Sequence, residues 1–297
     1  MEVLFRSCCG IDVHAQTVVA CLLKDGHKST RTFSTMTGQL LLLADWLVSE
    51  GCLQVAIEST GVYWRPVFNI LEGLMPVMLV NARHVKAVPG RKTDVRDCEW
   101  LADLLRHGLL KPSFIPPPEI RELRELTRYR QTLVKEKASV ANRVQRIAES
   151  GNIKLSQVVS DALGKSARLM LRALLEGETD SQKLAQLARG RLRNKQAQLE
   201  QALIGRLSAA QRFVLKELLD HYEELEAALL RVAEEIGREI AGCQNPFVAE
   251  AVQLLQTIPG VGQQVAEVIV SEIGVEMSCF PSDKHLASWA LDVSGEP

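Results

Sequence analysis

The sequence predicts an α/β domain followed by a long all-α region. Positions 7 to 80 alternate short β-forming runs with segments of helical period, the pattern of a mixed sheet covered by helices. A Pro116-Pro117-Pro118 triplet closes that pattern. Beyond it the apolar residues recur three and four apart with few strand formers, so the remainder reads as helix.

Taken in order, residues 7 to 24 carry β-formers at Cys9, Ile11 and Val13, then Val18, Val19, Cys21 and Leu22, and end at Lys24-Asp25-Gly26, where Asp-Gly favours a hairpin turn. A third strand near 29 to 33 completes an antiparallel meander. Leu40, Leu41, Leu43, Trp46 and Leu47 fall on a helical period across 38 to 49, and 53 to 57 is a short buried strand. Residues 61 to 74 read as helix, 75 to 80 as strand and 94 to 107 as helix. The order βββαβαβα is that of a ribonuclease H-like sheet.

Four acidic residues stand out on this scaffold. Asp12 lies between Ile11 and Val13 on the first strand, where a buried carboxylate is costly unless it is paired or holds a cation. Glu58 follows Val55-Ala56-Ile57 at the C-terminal end of its strand, where open α/β sheets place ligands. Asp94 and Asp97, three apart, share one face of a helix. Asp94 also follows Thr93 near a helix start, so a structural role at the helix dipole competes there. Four carboxylates from three elements suit two hard divalent cations, Mg²⁺ or Mn²⁺, over a phosphodiester. Around the acidic pair, Arg83, His84, Lys86, Arg91, Lys92 and Arg96 form a basic loop in which Asp94 is the sole acid, as a polyanionic substrate requires. Tyr63 and Trp64 offer rings for base stacking, against which stands the packing of their own helix.

In the helical region, Leu123, Leu126, Leu133, Val140, Val144 and Ile147 follow a broken heptad with Arg130 and Lys137 in seam positions. Leu218, Tyr222, Leu225, Leu229, Val232 and Ile236 give a cleaner register, a coiled-coil seam within the chain or between chains. Between them, Arg168, Arg172, Lys183, Arg189, Arg191 and Arg193 face few acids; a solvated helical face and a phosphate footprint explain them equally well. Near the end, Ile258-Pro259-Gly260-Val261-Gly262 resembles the turn of a helix-hairpin-helix, in which Gly260 and Gly262 allow the tight turn and leave backbone N–H groups for a phosphate. An ordinary helical hairpin is the competing reading.

The bulk composition narrows the class. A net charge of −1 confines any nucleic-acid affinity to local clusters of Lys and Arg. The seven cysteines form no C-x-x-C pair and are odd in number, against a zinc module or disulfide framework and for buried free thiols in a reducing compartment. The absence of a membrane-length apolar run or a leader pattern points to the cytoplasm.

Together, Gly10-Ile11-Asp12-Val13-His14, Ile57-Glu58-Ser59-Thr60-Gly61-Val62-Tyr63-Trp64, Val80-Asn81-Ala82-Arg83, Lys92-Thr93-Asp94-Val95-Arg96-Asp97 and the hairpin at 258 to 262 resemble the bacterial insertion-sequence transposases of the "one-ten" family, related to the Piv/MooV invertases. The resemblance implies a RuvC-like catalytic domain at 1–115 with a DEDD tetrad at Asp12, Glu58, Asp94 and Asp97. It further implies a helical, coiled-coil region at 116–245 and a partial C-terminal transposase domain at 246–297. It implies oligomers joined through the coiled coil, DNA partners at element ends and target, and a structured guide RNA. In the family the segment after 290 continues into a Gly-rich basic stretch bearing a nucleophilic serine, whereas this chain runs Leu291-Asp292-Val293-Ser294-Gly295-Glu296-Pro297. From that departure a truncated or frame-shifted C-terminus is expected, with recombination impaired and the nucleophile unassigned. A non-catalytic nucleic-acid-binding remnant and a Holliday-junction-type endonuclease are the competing functions.

Overall fold

The structure, a computed structural model, describes residues 2–59, 61–87, 97–280 and 282–287, with the side chains of 83, 86 and 87 left out. It divides into two compact units, Met1–Ile115 and Pro116–Pro297.

The first unit is built on one five-stranded sheet, β1 (Ser7–Val13), β2 (Thr17–Lys24), β3 (His27–Ser34), β4 (Gln54–Glu58) and β5 (Val77–Val80), in the spatial order β3-β2-β1-β4-β5. The β1, β2 and β3 pairings are antiparallel, those of β4 with β1 and β5 parallel. Asp25 and Gly26 both take positive φ, at 47° and 84°, which lets a two-residue turn follow the strand twist between β2 and β3. This mixed sheet agrees with the ribonuclease H-like order expected.

Strand alternation divides the core. Cys9, Ile11 and Val13 of β1, with Val55 and Ile57 of β4, pack against α1 (Thr37–Ser49) and α2 (Trp64–Leu71). On the other face Cys8 and Ala56 meet Val85 of α3 (Ala82–Ala87) and Leu101, Leu104 and Leu105 of α4 (Asp97–Arg106). The helix α4 lies almost on the backbone of β1: a Cβ at Gly10 would stand 2.3 Å from the Cys98 carbonyl oxygen and 2.4 Å from the Ala102 nitrogen. Only glycine allows that approach.

Three local expectations change. The segment read as a basic loop begins as α3, because the Asn81 carbonyl accepts from the N–H groups of His84 (3.0 Å) and Val85 (3.2 Å) while Val85 is buried. Helix α2 is shorter than 61 to 74, since the chain turns at 61 to 63 before it. Five cysteines are buried thiols, and burial pushes Cys8 and Cys98 up to about 12, but Cys243 is half-buried and Cys279 exposed.

The second unit hangs on two long helices, α5 (Pro118–Ser150) and, after α6 (Lys165–Leu175), α7 (Ser181–Gln186) and α8 (Gln196–Ala202), α9 (Ala209–Gly242). They run antiparallel, for Glu119 meets Cys243 at one end and Ser150 meets Gln211 at the other. The helical stripe read as a seam packs within the chain: Tyr222 and Leu225 are buried with Leu133, Val140 and Val144, and Leu218, Leu229 and Val232 pack on the same core. Of the two arrangements open to this stripe, the chain makes the internal one, a contact of α9 with α5 whose apolar faces match along their length.

Helices α10 (Phe247–Leu255) and α11 (Gln263–Ile273) pack on the other end of the pair, with Ile120, Leu123 and Ile236. Polar groups fix this contact. Arg130 and Glu267, both buried, form an ion pair, and a second Arg130 nitrogen donates to the Gln264 carbonyl at 3.2 Å. Arg128 forks onto Glu272 at 2.8 and 3.0 Å, and the Thr127 and Ser271 hydroxyls lie 2.8 Å apart. The seam position of Arg130 is thus filled by a partnered charge.

Two outcomes are expected. Gly10→Ala destabilises the first unit by about 1–3 kcal/mol or more, since its new methyl meets backbone that cannot turn aside; thermal unfolding measures it. Arg130→Met costs about 3–5 kcal/mol by stranding Glu267, and Arg130→Met with Glu267→Leu returns most of it. Denaturant unfolding of the two variants makes the comparison.

Candidate active site

The site is assembled by β1, β4 and α4. Asp12 has the parity of Cys8 and Gly10, so its side chain turns toward the α4 side of the sheet while Ile11 and Val13 are buried on the other. Glu58 has the parity of Ala56 and closes β4 on that same side. The parallel register pairs Cys8 with Gln54 and Ile11 with Ile57, so Asp12 and Glu58 come next along neighbouring strands, about 4.8 Å apart in backbone terms.

Asp97 opens α4, where a carboxylate complements the helix dipole. Because α4 rests on Gly10 through Cys98 and Ala102, its first turn sits beside Asp12. Lys28 of β3 holds the same turn through Glu99 at 2.8 Å.

The electrostatics record this arrangement. Burial raises the Asp12 carboxyl above its ordinary 3.8, the His14 charge pulls it back, and the Asp97 charge pushes it further up. The Asp12 side chain is 16% exposed and its Oδ2 lies 3.1 Å from Nε2 of the exposed His14. A partly buried carboxylate pushed up further by a second one is an anionic pair, and a cation near it would ease the repulsion.

Three of the four expected carboxylates are thus brought to one edge of the sheet. Asp94 lies outside the described residues, as do Arg91, Lys92 and Arg96 and the side chains of Arg83 and Lys86. Among the described residues no three His, Cys, Asp or Glu side chains close into a group that could hold a metal ion. His84 is exposed on α3. Trp64 packs edge-on against Phe68, with centroids 5.7 Å apart, whereas Tyr63 is 45% exposed. In the hairpin, Gly260 adopts φ 90° and Gly262 is the residue before α11, both exposed to solvent. Gly10, His14 and the Lys28–Glu99 pair were not singled out from the sequence. The strand period offered a signal for the first two, since both share the parity of Asp12.

Comparison with known proteins decides the family. A model for DEDD transposases of the IS110 type, described as "Transposase", matches residues 9–151, and one described as "Transposase IS116/IS110/IS902 family" matches residues 252–291. The two together cover more than half of the chain. It belongs to the IS110 family of transposases.

As an IS110-family transposase the chain is an enzyme that acts on DNA, serving the movement of an insertion sequence; the remnant and junction-endonuclease readings are not favoured. The first matched region contains Asp12, Glu58, Asp94 and Asp97, and the second contains the Gly260–Gly262 turn. A solved structure of T. thermophilus RuvC in complex with Holliday junction substrate is similar over 36% of this chain and 99% of its own, at 14% identity and a TM-score of 0.27. No curated protein matches. No described helix is long and apolar enough to cross a membrane.

The linkage of Asp12 to stability has a definite sign. With its folded-state value raised, the folded protein binds this proton more tightly than the unfolded chain. The ionised group therefore costs stability at neutral pH, and the cost fades as pH falls through the raised value toward 3.8. Asp12→Asn is expected to raise the melting temperature at pH 7 and to flatten this part of the stability–pH curve, both read by calorimetry without divalent ions.

Proposed function

We infer that this transposase cleaves and joins DNA strands by metal-dependent phosphoryl transfer at Asp12, Glu58 and Asp97, with Asp94 as the fourth carboxylate. The observation that carries the reading is the charge coupling of Asp12 to Asp97 at the edge where Glu58 stands in register. DEDD transposases imply a divalent cation, Mg²⁺ in our reading, which when bound neutralises the scissile phosphate.

The chain's own residues do the positioning. Asp12 comes from the centre of a sheet buried on both faces, so its place is set by β1 and not by a mobile loop. Asp97 moves only with α4, which Gly10 and the Lys28–Glu99 pair hold to the sheet. His14 compensates part of the Asp12 charge. We assign the cations at 83 to 96 to neighbouring phosphates of the DNA, and the N–H groups opening α11 after Gly262 to a further phosphate of its backbone, as in a helix-hairpin-helix. The α5–α9 pair serves as an antiparallel coiled-coil spacer.

Asp12→Asn and Asp97→Asn are each expected to lower Mg²⁺-dependent cleavage or strand exchange of DNA bearing the element ends by about 10²–10³-fold or more, the scale of losing one preorganised electrostatic group. Turnover in Asp12→Asn at the parent rate would refute the assignment.

A further inference from the structure

The basic run between residues 165 and 195 is one cluster in the sequence but two in the structure. Arg168 pairs with Glu226, and Arg172 with Asp220 and Glu223, all on α9. Their charge is spent inside the unit. The cations that follow are not matched in this way. Arg189, Arg191, Arg193 and Lys195 are exposed on or beside a short 3₁₀ turn, Gly190–Lys195, and none has a carboxylate partner among the described residues. The sequence holds no Asp or Glu between Ser181 and Leu199.

The turn is fixed in place. The Arg189 N–H donates to the buried Ser166 hydroxyl at 2.9 Å, which brings exposed Lys165 beside it. Arg193 Nε reaches the Ala188 carbonyl at 3.4 Å, and Lys195 Nζ the Val158 carbonyl at 2.9 Å. Each of these contacts uses one donor of a group that has three or five, so the rest are left for an outside acceptor. The nearby acids do not cancel the array: Asp161 caps the Leu163 N–H at 3.0 Å, and Glu178 lies 3.7 Å from Lys183. On a chain of net charge −1, such an excess is local by construction.

We propose that Lys165, Arg189, Arg191, Arg193 and Lys195 form a second nucleic-acid contact, one that grips the sugar-phosphate backbone of duplex DNA without reading its sequence. Arginine and lysine supply the phosphate chemistry. We take duplex as the occupant because the cluster carries no aromatic residue of its own, 130 to 212 holding none, and so lacks the rings on which single-strand sites stack successive bases. The proposal rests on the chain's acting on DNA, but not on the carboxylate site.

The test is the salt dependence of binding to a random-sequence duplex, by fluorescence anisotropy with the full chain in EDTA. The triple variant Arg189→Gln, Arg191→Gln, Arg193→Gln is expected to lower the slope of log K against log salt by about 2 to 3, near 0.9 per lost phosphate contact, with at least about a tenfold loss of affinity near 0.1 M salt. Arg172→Gln is the control: it leaves the slope unchanged and lowers the melting temperature. Circular dichroism confirms that the triple variant folds, and Arg191→Lys retains the slope. An unchanged slope in the folded triple variant overturns the proposal. Loss confined to a structured RNA, with duplex DNA unaffected, overturns the choice of DNA. The titration is run without divalent metal and reads binding alone, so failure of the carboxylate assignment is read separately, in the Mg²⁺-dependent cleavage assay.

Discussion

The approach of α4 onto Gly10 is the contact from which the candidate site follows. β1 is the middle strand of five, and a helix crossing it stands off unless the strand offers a residue without a side chain. Gly10 removes the stand-off, and the Cys98 carbonyl and the Ala102 nitrogen occupy the space a methyl would take. Asp97 precedes Cys98 by one residue and Asp12 follows Gly10 by two, so the same contact that closes the core carries one carboxylate up to the other. The cost is electrostatic. Burial and proximity raise Asp12 together, and His14 offsets only part of it. A protein that needs only to fold gains nothing from this pair, whereas one that binds a hard cation does.

The second unit shows the opposite use of charge. Arg124 and Arg128 hold Glu272, Arg130 holds Glu267, and Lys137 and Arg168 share Glu226, so most cations of α5 and α6 are absorbed by α9 and α11. A buried ion pair contributes little net stability, but a wrong alignment of α11 on α5 strands a charge in an apolar contact. The pairs therefore specify the angle at which the glycine hairpin is presented. The cations at 189 to 195 have no such carboxylate partner among the described residues.

Much of the fold was legible in the residues. The β1–β2–β3 meander followed from β-forming runs and Asp25-Gly26, and the parallel strands β4 and β5 from short apolar runs bounded by helical periods. What was not legible was local and tertiary. Helix α3 carries no apolar period of its own, and it forms because Asn81 starts a turn and Val85 finds the core under α4. Arg130 in a seam position looked like a break in a heptad, and its meaning depends on Glu267, which is 137 residues away. The α9 stripe signals an apolar face, not whose face it meets.

For the site, a carboxylate between Ile11 and Val13 was costly on its face, and Glu58 at a strand end was placed by strand order. Amino-acid type and period thus determined the strands, the two helical faces of the sheet and the acids worth attention, because backbone preference and the alternation of side chains are local properties. Tertiary structure alone decided that Asp97 shares a field with Asp12, that His14 moderates it, and which arginines are spent. Those outcomes depend on distance and solvent exclusion between segments far apart in the chain, and no pattern of neighbouring residues encodes either.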